Sequence, residues 1–353
     1  MANAFNKQEL VAWETICEGF EDALVLSNTV SIYNTDQTAM ERANDVIWRP
    51  VPYIAQSHDG TDATSNFDEA TQLSVPATIG YQKHSTAILT ATELRDALVE
   101  GRLGQAAKQK LASDINVAVN NVAALQGTLV VKQGTAAVGY DDVALIEALM
   151  NEQGVPAYDR YLALSTRSYN GMASNLAVAT RSFGNQKSEK AYEDGYVGRV
   201  ASFETYKMDY SRTLAAAGGG AGITMDTQDA ATNYYVPSAT STATTGEVSN
   251  VDNRYQTITV STTVGVAAGD AFTVAALNAV HHITKQDTGQ LKTFRVISVT
   301  DGTHLVISPP MITNQVATDP TIQYQNCVIN TKAANSALVF LNTVAAAANP
   351  FWQ

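Results

Sequence analysis

Cysteine is nearly absent from this chain, with only Cys17 and Cys327 among 353 residues. A chain of that length does not depend on one staple, so a disulfide framework is excluded; a reducing cytoplasm fits best, and both cysteines are expected as buried thiols. Long apolar runs are missing too. The most apolar stretch, Leu338 to Ala348, is broken by Asn342 and Thr343, so no membrane span is expected. Glu9, Glu14 and Glu18 interrupt the region where a signal peptide would need an apolar core. Positive charge is scarce: 22 Lys and Arg against 34 Asp and Glu give a formal net charge of -12. That balance argues against strong, sequence-independent nucleic-acid binding, which needs cations to displace those condensed on phosphate. An acidic wall repels packed DNA weakly, though acidity also serves plain solubility.

Reactive constellations are lacking as well. His58, His84, His281, His282 and His304 show no ligand spacing, so no metal site and no cofactor are expected. His281 and His282, being adjacent, are expected on opposite faces of a strand. There is no Gly-x-Ser-x-Gly elbow and no Walker-type loop. Gly218, Gly219, Gly220 and Gly222 have no Lys-Ser or Lys-Thr behind them to form a phosphate cradle, and they read as a hinge. Asp301 and His304 suggest a catalytic pair, but Asp301 is better used by a turn and no nucleophile accompanies them. The chain is not expected to be an enzyme.

What is present is ordinary globular material, 45% apolar and 16% charged. Gln8 to Leu26 places Leu10, Trp13, Cys17, Phe20 and Leu24 on one helical face, opposite Glu14, Glu18, Glu21 and Asp22. Val46 to Leu89 reads as a long hairpin with a polar tip over His58 to Ala70 and a returning strand near Gln72 to Thr78. Such an excursion exceeds an ordinary connection of about four to six residues and is expected to reach a neighbouring subunit. Thr92 opens a long helix stopped by Gly127, a spine of roughly 50 Å that Gly101 and Gly104 are able to bend. Asp141 to Glu152 suits a helix closed by Gly154, Arg160 to Ser165 a strand, and Ser174 to Ala179 and Ala191 to Asp194 short helices. Ser238 to Thr245 is expected as an exposed, mobile loop, and Lys332 to Ala348 has helical composition.

Between them lies a β-rich stretch. Gln256 to Ser261, Thr293 to Val299 and His304 to Ser308 alternate apolar and polar residues with period two. Asp301-Gly302 is expected to supply the positive-φ residues of a tight hairpin between the last two runs.

Val251-Asp252-Asn253-Arg254-Tyr255, followed by Val299 to Pro309 around Asp301-Gly302-Thr303-His304, resembles the inserted β-barrel domain of the coat-protein family of short-tailed Salmonella phages. Collinear patches extend the resemblance over most of the chain: Ile47-Trp48-Arg49-Pro50, Glu93-Leu94-Arg95-Asp96, Gly198-Arg199-Val200-Ala201 and Asn349-Pro350-Phe351-Trp352. The family is that of major capsid proteins with the Hong Kong 97 type fold. The resemblance implies an α+β subunit: an N-terminal arm (1-45), an extended loop (46-90), a spine helix with peripheral domain (91-139), an axial-type α/β domain (140-222) and an inserted all-β barrel (223-348). Residues 349-353 would then return toward the core. Relatives continue beyond that point, so either the chain is truncated or the completing elements come from another source.

The function implied is a shell subunit that self-assembles as pentamers and hexamers in an icosahedral virion capsid enclosing double-stranded DNA. A scaffolding protein, a portal protein and assembly in the host cytoplasm belong to the same implication. Glu14 and Glu18 match scaffold-contact positions of the family. Trp48, Arg49, His58 and Asp59 lie in the loop expected to contact a neighbour, and Asp252, Asn253, Arg254, Asp301, Gly302 and His304 form the inserted-domain motif. The loop from Tyr234 to Asn250 departs from its counterpart and carries only Glu247 as a charge, so ion pairs made there by relatives do not carry over. The competing class is a secreted or surface-exposed adhesive β protein, suggested by Ser/Thr-rich strands and fifteen tyrosines. It would require an export signal.

Overall fold

The computed structural model describes residues 26-30, 46-62, 64, 67, 71-78, 80-86, 88, 97-131, 139-179, 190-191, 193-208, 210, 217, 222-225, 234-313, 322-329 and 337-342. Glu14, Glu18, Cys17, the helix start at Thr92, Gly218 to Gly220 and residues 349-353 lie outside them.

Strands β1 (Val46–Pro50) and β2 (Ser74–Thr78) pair antiparallel, with Trp48 opposite Pro76 and Arg49 opposite Val75. This is the expected hairpin. Its base is closed where the Val51 N–H donates to the Leu73 carbonyl at 2.8 Å, and Leu73 is buried. Helix α1 (Ala97–Gln126) is described as one continuous α-helix running through Gly101 and Gly104. Along its described side chains only Gly104 and Ala112 are buried, and Val122 is 56% exposed. Leu111, Ile115, Ala118 and Leu125, which with Val122 recur at steps of four and three, are only half-buried.

Helix α2 (Tyr140–Glu152) starts where Asp142 Oδ2 accepts the Gly139 N–H at 3.1 Å, and its C-cap Gln153 is followed by Gly154 with φ +81°. Asp141 and Asp142 occupy its first turn, where a carboxylate meets the positive end of the macrodipole. β3 (Tyr161–Ser165) leads directly into α3 (Thr166–Ala179). The helix begins earlier than the expected start at Ser174. Ser165 Oγ accepts the Ser168 N–H at 3.3 Å, and burial of Tyr169, Met172 and Ala173 outweighs the poor helix propensity of Asn170 and Gly171. β4 (Arg199–Val200) and β5 (Phe203–Met208) complete a sheet ordered β3-β5-β4, with β3 and β5 parallel. Leu162, Leu164 and Phe203 pack on Val143, Ile146 and Met172 to form one core.

β6 (Thr240–Thr242) and β7 (Val248–Asn250) form a separate two-stranded ribbon. The Ser238 to Thr245 segment thus contributes a strand where a loop was expected. The rest is a β-barrel of β8 (Gln256–Thr259), β9 (Ala271–Val280), β10 (Asp287–Val299), β11 (His304–Ser308), β12 (Cys327–Ile329) and β13 (Leu338–Phe340), in the order β12-β9-β10-β11-β8 with β13 also on β9. Residues 223–225 close it: Met225 bridges Val260 on one side, while Thr224 bridges Ala337 and the Leu338 N–H donates to the Ile223 carbonyl on the other.

Its core holds Phe272, Phe294 and Phe340, with ring centroids 5.7 Å and 5.8 Å apart for the Phe272 pairs, and Ile258, Val260, Leu305 and Ile307 around them. Cys327 is fully buried, and burial pushes its thiol up to about 12. β13 replaces a helix expected from composition, because Leu338, Val339 and Phe340 gain cross-strand partners in Val274, Thr273 and Phe272. β10 also begins before the expected Thr293, pairing Asp287 with Val280.

Candidate functional site

No group of three or more His, Cys, Asp or Glu side chains among the described residues is arranged to hold a metal ion. No helix among them is long and apolar enough to cross a membrane. Of the residues singled out by sequence, those described lie mainly along the hairpin and at the two ends of the barrel's β8–β11 pair.

Trp48 is half-buried within β1, while Arg49, His58 and Asp59 are exposed along the hairpin. Gly60, with φ +106° and nothing within 4 Å of where a Cβ would stand, follows Asp59 at an open bend. The returning limb is fixed to the barrel by the Tyr324 hydroxyl, which donates to the Thr71 carbonyl at 2.9 Å.

The barrel motif splits into two clusters at opposite ends of the β8–β11 pair, since β8 pairs Gln256 with Ile307 at one end and Thr259 with His304 at the other. At the first end Arg254 forks onto Asp252, Nε to Oδ1 at 2.9 Å and Nη2 to Oδ2 at 2.7 Å, and lies 5.0 Å over the Tyr255 ring. Burial works to raise the Asp252 carboxyl, but the hydrogen bonds and charge of Arg254 outweigh it and hold that carboxyl below the usual range. Asn253 braces the ribbon: Oδ1 accepts from the Tyr235 hydroxyl and the Ser238 N–H, and Nδ2 donates to the Ser238 and Val251 carbonyls. All six strand residues of the ribbon are exposed.

At the other end Asp301 organises the β10–β11 turn. Its Oδ1 accepts the N–H groups of Thr303 and His304 at 2.8 and 2.9 Å, and both oxygens stand 2.8 Å from His304 Nδ1. The Thr303 N–H, with the His304 side chain, holds the carboxyl down at about 2. The expected positive-φ Asp-Gly turn is not formed, because neither Asp301 nor Gly302 is left-handed. The side chain of Asp301 replaces the backbone geometry such a turn would need. Asp301 and His304 are spent on this turn, which the Thr263 hydroxyl and N–H secure by donating to the Asp301 and Gly302 carbonyls.

His281 and His282 do not alternate across a strand. They open the turn after Val280, where His281 Nδ1 accepts the Ile283 and Thr284 N–H groups. Sequence reasoning missed a third cluster, in which Lys292, Thr293 and Arg295 of β10 are buried. Arg295 was legible only as a polar residue within an alternating strand. Of the hinge glycines, Gly222 is described, with φ +105°. The Ala217 N–H, just before the run, already donates to the Asn342 carbonyl.

An extended hairpin, a braced ribbon and a long half-covered helix define a structural subunit that offers surfaces to other chains. The chain matches the family profile described as "P22 coat protein - gene protein 5" over residues 1–353, and it belongs to that family. Among solved structures it is similar to the CUS-3 coat protein I-domain, at 35% identity and TM-score 0.26, covering 36% of this chain and 100% of that one. It is also similar to Mycobacterium phage Che8, at 12% identity and TM-score 0.42, covering 92% of this chain and 89% of that one. A third similar structure is the capsid of the cyanophage P-SCSP1u, at 15% identity and TM-score 0.34, covering 89% of this chain and 90% of that one. Family membership makes this a major capsid protein that assembles into the shell of a phage, and it disfavours the adhesive alternative.

Proposed function

We propose that the chain builds an icosahedral shell of pentamers and hexamers around double-stranded DNA, held without sequence-specific contacts. The observation that carries the geometry is the β1–β2 hairpin, whose connection from Val51 to Leu73 far exceeds an ordinary loop of about four to six residues. Residues 46-90 then lie across a neighbouring subunit, with Trp48, Arg49, His58 and Asp59 as contact residues. Residues 1-45 form an arm that meets a scaffolding protein through Glu14 and Glu18. Residues 91-139 and 140-222 form the peripheral and axial domains, and Gly218, Gly219, Gly220 and Gly222 serve as the hinge into the barrel of 223-348. The barrel contacts other capsomers or aids subunit folding, with the Asp252-Asn253-Arg254 and Asp301-Gly302-His304 clusters shaping its ends. Assembly takes place in the host cytoplasm, with a portal protein at one vertex. Several weak contacts per subunit make such a shell durable, because loss of one is followed by rapid recapture.

The test is assembly of the purified chain, alone and with its scaffold, followed by negative-stain microscopy. Uniform closed shells are expected, lost when Trp48→Ala and Asp59→Lys are combined and depleted of scaffold by Glu14→Lys with Glu18→Lys. A monomer that never assembles under any of these conditions overturns the reading.

A further inference from the structure

Two helices end against one strand of the barrel. α1 stops at Gly127, and its outgoing carbonyl has no further helical turn to satisfy it. That carbonyl accepts Arg295 Nε at 2.7 Å, and the next one, of Thr128, accepts the Thr293 hydroxyl. α2 ends at Gln153, whose carbonyl accepts the His282 N–H at 3.1 Å and whose Oε1 accepts Lys292 Nζ at 3.0 Å. Arg295 has no exposed surface, and Gln153, Lys292 and Thr293 are each under a tenth exposed. Arg295 also reaches into the barrel, donating Nη1 to the Gly269 carbonyl at 2.6 Å. One guanidinium therefore joins the end of the spine to the barrel, with its charge at the negative pole of α1. Burial lowers it to about 10, with nearby Asp270 opposing. Separating these parts would break the bonds of Arg295 to Gly127, Thr293 to Thr128 and Lys292 to Gln153, leaving Arg295 its bond to Gly269.

We propose that β10 is a clamp: through Lys292, Thr293 and Arg295 it fastens the C-terminal ends of α1 and α2 to the barrel, so that the spine end and the barrel open and move as one unit. The clamp stands on the single subunit and does not need the shell reading. Its consequence does rest on that reading: when a shell changes shape, the barrel travels with the spine and the displacement falls elsewhere.

The test is native-state amide exchange on the full soluble chain, before any assembly, so that failure to form shells does not bear on it. Ile258→Val, placed in the barrel core away from both helices, is expected to speed exchange at Phe294 to Val296 by about two- to ten-fold. The clamp requires the same factor at Ala123 to Gly127 and at Met150 to Gln153, the last turn and C-cap of α2, while Thr240 to Thr242 of the exposed ribbon stay unchanged. In the unsubstituted chain the clamped segments are expected to share one denaturant dependence. Acceleration confined to the barrel, acceleration at one helix end without the other, or different denaturant dependences among the clamped segments would each overturn the clamp.

Discussion

The Tyr235 hydroxyl donates to Asn253 Oδ1 at 2.8 Å, tying the chain that enters the β6–β7 ribbon to the chain that leaves it. An isolated two-stranded ribbon is marginal in water, so its extended form depends on such bracing at the base. Asn253→Ala removes four hydrogen bonds, two of them to the Ser238 backbone. At this half-exposed site the expected loss is about 1–2 kcal/mol, read by urea unfolding. Amide exchange should quicken at Thr240 to Thr242 while the Phe272 core stays protected.

Gly154→Ala tests the junction from the helix side. Its φ of +81° is strained for alanine, and a Cβ there would stand 3.0 Å from the His281 ring. The expected cost is about 1–2 kcal/mol. Adding His281→Ala should relieve the contact but not the backbone strain, and a double-mutant cycle separates the two.

Lys285 Nζ donates to the Gln325 carbonyl at 3.1 Å, and burial lowers its ammonium from 10.5 to about 8. Between those values the folded chain has released a proton that the unfolded chain still binds, so this group's contribution to stability rises with pH. Compared with Lys285→Met, the unsubstituted chain should gain stability between pH 8 and pH 10.5, measured as urea midpoints, with no differential change between pH 5 and pH 7.

Asp301 has the same sign, in an acidic window. Its folded carboxyl is held at about 2 against an ordinary 3.8, so the stability it lends the turn is complete above 3.8 and is lost as pH falls through 2. The amide shifts of Thr303 and His304 should therefore titrate near pH 2, and Asp301→Ala should abolish that titration. A midpoint near 3.8 would show the turn bonds to be absent in solution.

Legibility followed the range of the interaction. β11 was delimited from sequence as His304 to Ser308, and α2 to within a residue, because alternation and capping are written in neighbouring residues. The hairpin at Val46 was readable from its prolines and polar tip. The Asp301 turn was placed correctly, but its backbone was not, since a carboxylate that accepts several donors makes the left-handed residues unnecessary. Leu338 to Phe340 have the composition of a helix and form a strand, because their partners lie more than sixty residues earlier in β9.

The sequence by itself determined the family, the barrel strands that alternate, the helices with capped ends and the absence of metal-ligand spacing, all of which are local patterns. Tertiary structure alone decided that Arg295 is interior, that residues 223–225 close the barrel against β8 and β13, and that β10 faces the ends of two helices. The physical reason is distance along the chain: Arg295 and Gly127 are 168 positions apart, and no local periodicity records which carbonyl a distant guanidinium will find.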